Sequence, residues 1–140
     1  MSKLPEALDR LYERYEEVDR SRGDFRYRHA LESLVEFYLR IGNDAATLEE
    51  AIDTLIEDYE EKQDRIVKLL HAQDFQSLQL VVKELKSSIR HVVDETVLES
   101  ACEVERASGA CDLPRTYGAW SVLHEKLCPV FMVMRQLRRS

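Results

Sequence analysis

The chain has 140 residues and a mass of 16.4 kDa, the size of one domain with a single continuous core. Hydrophobic residues make up 44% and charged residues 34%, which excludes a disordered chain, and only 4 Gly and 3 Pro leave little for the turns of an all-β fold. A net charge of −7 and a pI near 5.2 argue against nucleic acid or an anionic membrane as the principal partner.

Leu4, Leu8, Leu11, Tyr15 and Val18 recur at four- and three-residue steps and predict a helix with one apolar stripe. That stripe is also a possible seam for pairing with another copy of the chain. Ser21-Arg22-Gly23-Asp24 ends the helix, with Gly23 expected in the left-handed region. A second helix carries Ala30, Leu31, Leu34, Val35, Tyr38 and Leu39 and stops near Gly42-Asn43. Thr47-Leu48-Glu49-Glu50 reads as a capping box opening a third helix, which is expected to bury Leu48, Ile52, Leu55, Ile56, Tyr59, Ile66, Leu69 and Leu70.

Asp74 is the expected cap of a fourth helix and Asp94 of a fifth, which runs to about Ala107. Asp112 and Pro114 suit the start of a last helix carrying Trp120, Leu123, Leu127, Phe131, Met134 and Leu137. Pro129 falls inside it and is expected to kink or split it. Short connections between the last four helices predict antiparallel neighbours. The expected architecture is all-α: an up-and-down four-helix bundle over residues 46–140, preceded by a helical extension over residues 1–45.

Cys102, Cys111 and Cys128 are odd in number and lack paired short spacings, so no zinc site is expected and buried, reduced thiols are. No basic start followed by an apolar run marks a secretory signal, and no apolar stretch approaches the roughly 18 residues of a membrane span. A cytoplasmic protein without a membrane partner is expected. The chain carries no Gly-rich phosphate loop, nucleophile elbow, metal-spaced His/Cys set or Glu-x-x-His pair on Glu32, Glu36 or Glu57. Neither a cofactor nor a metal is expected.

The most informative stretch is Val81-Val82-Lys83-Glu84-Leu85-Lys86-Ser87-Ser88-Ile89-Arg90. Wound at about 100° per residue, it gathers Leu78, Val81, Val82, Leu85, Ile89 and Val92 on one side. Gln76, Gln79, Lys83, Lys86, Ser87 and Arg90 gather on the other, expected to face water, with Lys83, Lys86 and Arg90 forming a basic spot on an acidic protein.

These residues resemble the active helix of histidine phosphotransfer (HPt) domains, whose pattern is His-x-Leu-Lys-Gly-Ser-Ser. Leu85, Lys86 and Ser88 fall on it, and Ser87 takes the place of the glycine. Without a gap, Val92, Val97 and Val104 meet the family's aliphatic positions and Glu105 its glutamate, while Leu69 to Asp74 is similar to the family's approach to the active helix.

The departure is Lys83, which stands where the family has its phosphoaccepting histidine. Neutral imidazole attacks phosphorus near pH 7, whereas an exposed lysine is an ammonium with no lone pair to attack with. The resemblance therefore implies a non-catalytic, pseudo-phosphotransfer protein rather than an enzyme. It implies docking onto a response-regulator receiver domain or another signalling protein through Gln79, Lys83, Lys86, Ser87 and Arg90. The alternative is a structural bundle, or one that forms homo-oligomers through the N-terminal helix, unrelated to phosphorelay. A third reading is phosphotransfer through His91, placed at the edge of the polar face of the same helix, where Asp94 repels an incoming phosphoryl group.

Overall fold

The computed structural model describes residues 4–139, so residues 1–3 of the expected extension and Ser140 of the expected bundle lie outside the described part. The described chain is all-α: α1 (Leu4–Arg22), α2 (Arg26–Arg40), α3 (Ala45–Ala72), α4 (Phe75–Ile89), α5 (Glu95–Gly109) and α6 (Leu113–Arg139).

Four helices begin beside an aspartate whose carboxylate accepts hydrogen bonds from free backbone N–H groups of the first turn. Asp44 receives Thr47 N at 3.2 Å, Asp74 receives Ser77 N at 3.2 Å, and Asp112 receives Arg115 N at 3.1 Å. Asp94 receives Thr96 N at 3.0 Å and Val97 N at 3.2 Å. The capping box expected at Thr47 is thus corrected: Asp44 is the cap, α3 starts at Ala45, and Thr47 lies inside the first turn. An aspartate three residues earlier reaches the Thr47 donor, and Ala45-Ala46 joins the helix at no propensity cost. Gly23, at φ +76°, closes α1 in the left-handed region as its position predicts, donating to Asp19 O at 2.8 Å.

α3 packs on α4, α4 on α5, α5 on α6, and α6 returns to α3, so these four helices close a ring around one core. Ile52, Ile56, Ile66, Leu85, Ile89, Leu123, Leu127 and Phe131 are fully buried in it. Each such side chain contributes roughly 1.5–3 kcal/mol by leaving water. The Tyr59 and Phe131 rings stack across α3 and α6 with centroids 4.0 Å apart. α6 runs unbroken through Pro129 rather than splitting there. Val130, Phe131, Val133 and Met134 are buried just beyond it, and that packing holds the helix together across the missing N–H.

α1 and α2 pack on each other and on α6, outside the ring. Leu4, Leu8, Leu11 and Tyr15 are buried by the chain's own helices, Tyr15 stacks on Tyr27 at 4.3 Å, and Arg14 donates to Gln136 Oε1 at 3.1 Å. The stripe expected as a seam for a second copy is therefore occupied within one chain. Leu39, expected on the apolar face of α2, is exposed. The cysteines also depart from expectation: all three are free, but Cys111 and Cys128 are exposed and Cys102 is half-buried. Cys111 sits in the turn before α6 at φ +53°, and Cys128 lies on α6 beside the buried Leu127, on the side turned to water.

Candidate functional site

α4 has the phase its sequence predicts. Leu78, Val81, Val82, Leu85 and Ile89 are buried, and Lys83, Ser87 and Arg90 are exposed. Lys83 makes no ion pair or hydrogen bond with any described residue. One turn before it, Leu80 is 57% exposed, so Leu80, Lys83 and Ser87 form an outward stripe of an apolar side chain, an ammonium and a hydroxyl. Glu84 borders this stripe and is drawn toward α3 by Arg65 at 3.9 Å.

Two other residues expected on the water-facing side are turned onto α5. Lys86 Nζ lies 2.6 Å from Glu105 Oε1 and donates to Cys102 Sγ at 3.6 Å. Both ends of this ion pair are largely shielded, the lysine side chain 24% and the glutamate side chain 13% exposed. Glu105 holds the Lys86 ammonium above the ordinary lysine value, against the partial desolvation that lowers it. Gln79 is half-buried and its Nε2 donates to Glu105 O at 3.1 Å. Position on the helix wheel places Gln79 and Lys86 correctly in angle. It cannot show that α5 is close enough on that flank to capture two long side chains.

His91 is not on the polar face of a helix. α4 ends at Ile89, Val92 N closes a turn on Ile89 O at 3.0 Å, and His91 lies in the connection to α5. Its carbonyl accepts from Arg40 Nη2 at 2.7 Å, and its exposed ring lies over Phe37 with centroids 6.3 Å apart. The sequence reading extended the helix through Val92 because Val92 keeps the apolar phase; it is buried, but from the turn. His124 joins Gln63 at 2.9 Å between α6 and α3, and His29 faces Glu32 at 3.8 Å within α2.

Leu80 is the site residue that sequence reasoning passed over. Its signal is a violation of period: an isolated leucine among Gln76, Lys83 and Ser87 on the face that α4 otherwise leaves polar.

No group of three or more His, Cys, Asp or Glu side chains among the described residues is arranged to hold a metal ion. No described helix is long and apolar enough to cross a membrane. Compared with protein-family models, curated proteins and solved structures, the chain matches none.

Proposed function

We propose that the chain is a non-catalytic pseudo-histidine-phosphotransfer protein, a module that docks on a response-regulator receiver domain through the exposed face of α4. The ring of α3 to α6 then serves as an up-and-down, HPt-like four-helix bundle, with α1 and α2 as its extension. The observation that carries this reading is Lys83. An exposed, unpaired ammonium stands where the resembling family has its reactive imidazole. It retains a cation for an acidic pocket and lacks a nucleophile.

Two further features support the reading. Lys86 and Glu105, which both fall on the family pattern, meet each other across α4 and α5. Leu80 gives the same face an apolar anchor beside the charge. Lys86 acts as a brace in this scheme, and Lys83 with Arg90 supplies the free positive charge.

The test is association with immobilised receiver domains, together with phosphate transfer from a phosphorylated receiver. Binding should weaken as salt rises, because exposed charges are screened over about 10 Å at 0.1 M, and Lys83→Glu and Leu80→Ala should each weaken it. No acid-labile phosphate should appear on the chain. Label that disappears in His91→Ala would transfer the assignment to active phosphotransfer. If no receiver binds, the structural-bundle reading stands instead.

A further inference from the structure

A groove opens on the surface away from α4. It lies between α1 and α2, has a volume of about 720 Å³, and is lined by Tyr12, Leu31 and Phe25 with Glu13, Glu16 and Glu32 around them. In all, five carboxylates line it against two guanidiniums; Glu16 pairs with Arg20 at 3.3 Å, Glu32 with Arg28 at 3.0 Å and Asp24 with Arg26 at 2.9 Å, while the buried Asp19 receives backbone N–H groups of α2. Glu13 is exposed and makes no ion pair with any described residue. The Tyr12 phenol feels the same surroundings, since burial and then Glu32 raise its pKa.

Phe25 is the second observation, and it is independent of the charge. It is 60% exposed, and it occupies the position that begins α2 without providing a side-chain cap. Serine, threonine, asparagine or aspartate there satisfies the first-turn donors, and a phenylalanine satisfies none. The chain caps α2 from elsewhere: Asp19, on α1, receives Tyr27 N at 3.2 Å and Arg28 N at 3.0 Å. Phe25 thus provides no cap, and its largely exposed ring, edge-on to His29 with centroids 6.3 Å apart, lines the groove. A local choice that gives up a cap and exposes an aromatic side chain is the kind of departure found at binding surfaces.

We infer that the α1–α2 groove docks a basic segment of a partner protein. Its lysine or arginine stems lie along Phe25 and Tyr12, and its charged heads reach Glu13 first, then Glu16 and Glu32 in exchange for their exposed intrahelical pairs with Arg20 and Arg28. Long cationic side chains suit such a site because their methylenes cover apolar surface while the head remains solvated. An aromatic floor also attracts the cation itself. This face is separate from that of α4, so the inference stands apart from the receiver-docking reading.

The probe is a capped Leu/Lys amphipathic peptide titrated into the full chain, with its Leu/Glu counterpart beside it and amide chemical shifts as the readout. The Leu/Lys peptide should bind and move resonances of α1 and α2, and the Leu/Glu peptide should not. Phe25→Ser, which restores a good cap and so keeps the fold, should weaken binding by fivefold or more. Glu13→Lys should weaken it by a similar factor, while Asp64→Lys, an equal charge change on exposed α3, should have little effect. Lys83→Glu should leave it unchanged, whatever that variant does to receivers. Equal losses from Glu13→Lys and Asp64→Lys would mean that only the net charge of −7 attracts the peptide, and would overturn the inference. Full affinity in Phe25→Ser, or no binding of the Leu/Lys peptide at millimolar concentration, would overturn it as well.

Discussion

The ring helices and the α1–α2 pair solve the same problem, the unpaired donors of a helix start, in opposite ways. α3, α4, α5 and α6 each take an aspartate from their own chain segment: Asp44, Asp74, Asp94 and Asp112. α2 takes its main aspartate from the preceding helix, the adjacent Asp24 receiving only Arg26 N at 3.4 Å. Asp19 is 3% exposed and its two oxygens serve two backbone N–H groups. A local cap stabilises one helix; Asp19 fastens two helices together. The ring helices can thus be specified piece by piece, whereas α2 begins properly only when α1 lies against it.

The largest effect should come from the core that the ring shares. Leu85→Ala should cost about 2–5 kcal/mol in urea unfolding, because it empties a fully buried site on α4. Lys83→Ala, two residues earlier on the outward side, should change stability by no more than about 0.5 kcal/mol. Comparable losses for the two would mean that the phase of α4 is wrong.

The comparison itself is tested by the caps. Asp19→Ala should cost about 2–3 kcal/mol, since it strips a buried acceptor from two N–H groups, and amide exchange should quicken through the first turn of α2. Asp94→Ala should cost about 1 kcal/mol, with faster exchange confined to the start of α5. If Asp19→Ala costs no more than Asp94→Ala, the tie between α1 and α2 is no stronger than a local cap.

The α4–α5 brace should give a smaller effect with a pH signature. Lys86→Met leaves Glu105 shielded and unpaired, and at neutral pH should cost about 1–3 kcal/mol. Glu105 raises the folded-state pKa of Lys86 above the value of about 10.4 expected when unfolded. The stabilisation is therefore complete below that unfolded value and disappears as pH rises through the folded one. Urea unfolding at pH 8 and pH 11 should show the original chain losing more stability over the interval than Lys86→Met. Equal losses would mean that the pair contributes nothing specific.

Much of this was readable along the chain. The starts at Asp74 and Asp94, the stop at Gly23 and the buried face of α4 all follow from residues within a turn or two of one another, and helical geometry carries such signals without help from elsewhere. The reading failed where two signals compete locally. Thr47 looks like a cap until Asp44 reaches its N–H first, and Val92 looks helical because a turn can bury it in the same phase.

For the candidate sites, the sequence by itself determined that Lys83 stands on the outward face of α4, opposite Leu85, because that depends only on the helical period. It also determined the acidic composition and the absence of a histidine at that place. Only the tertiary structure decided that Lys86 and Gln79 bend onto α5, that Leu80 stays uncovered, and that Asp19 releases Phe25 from capping. Each of these turns on how closely another helix approaches, and a long polar side chain can reach either water or a neighbour from the same angle on the wheel. Burial and counter-charge then select between them, and both are supplied by residues on a different helix.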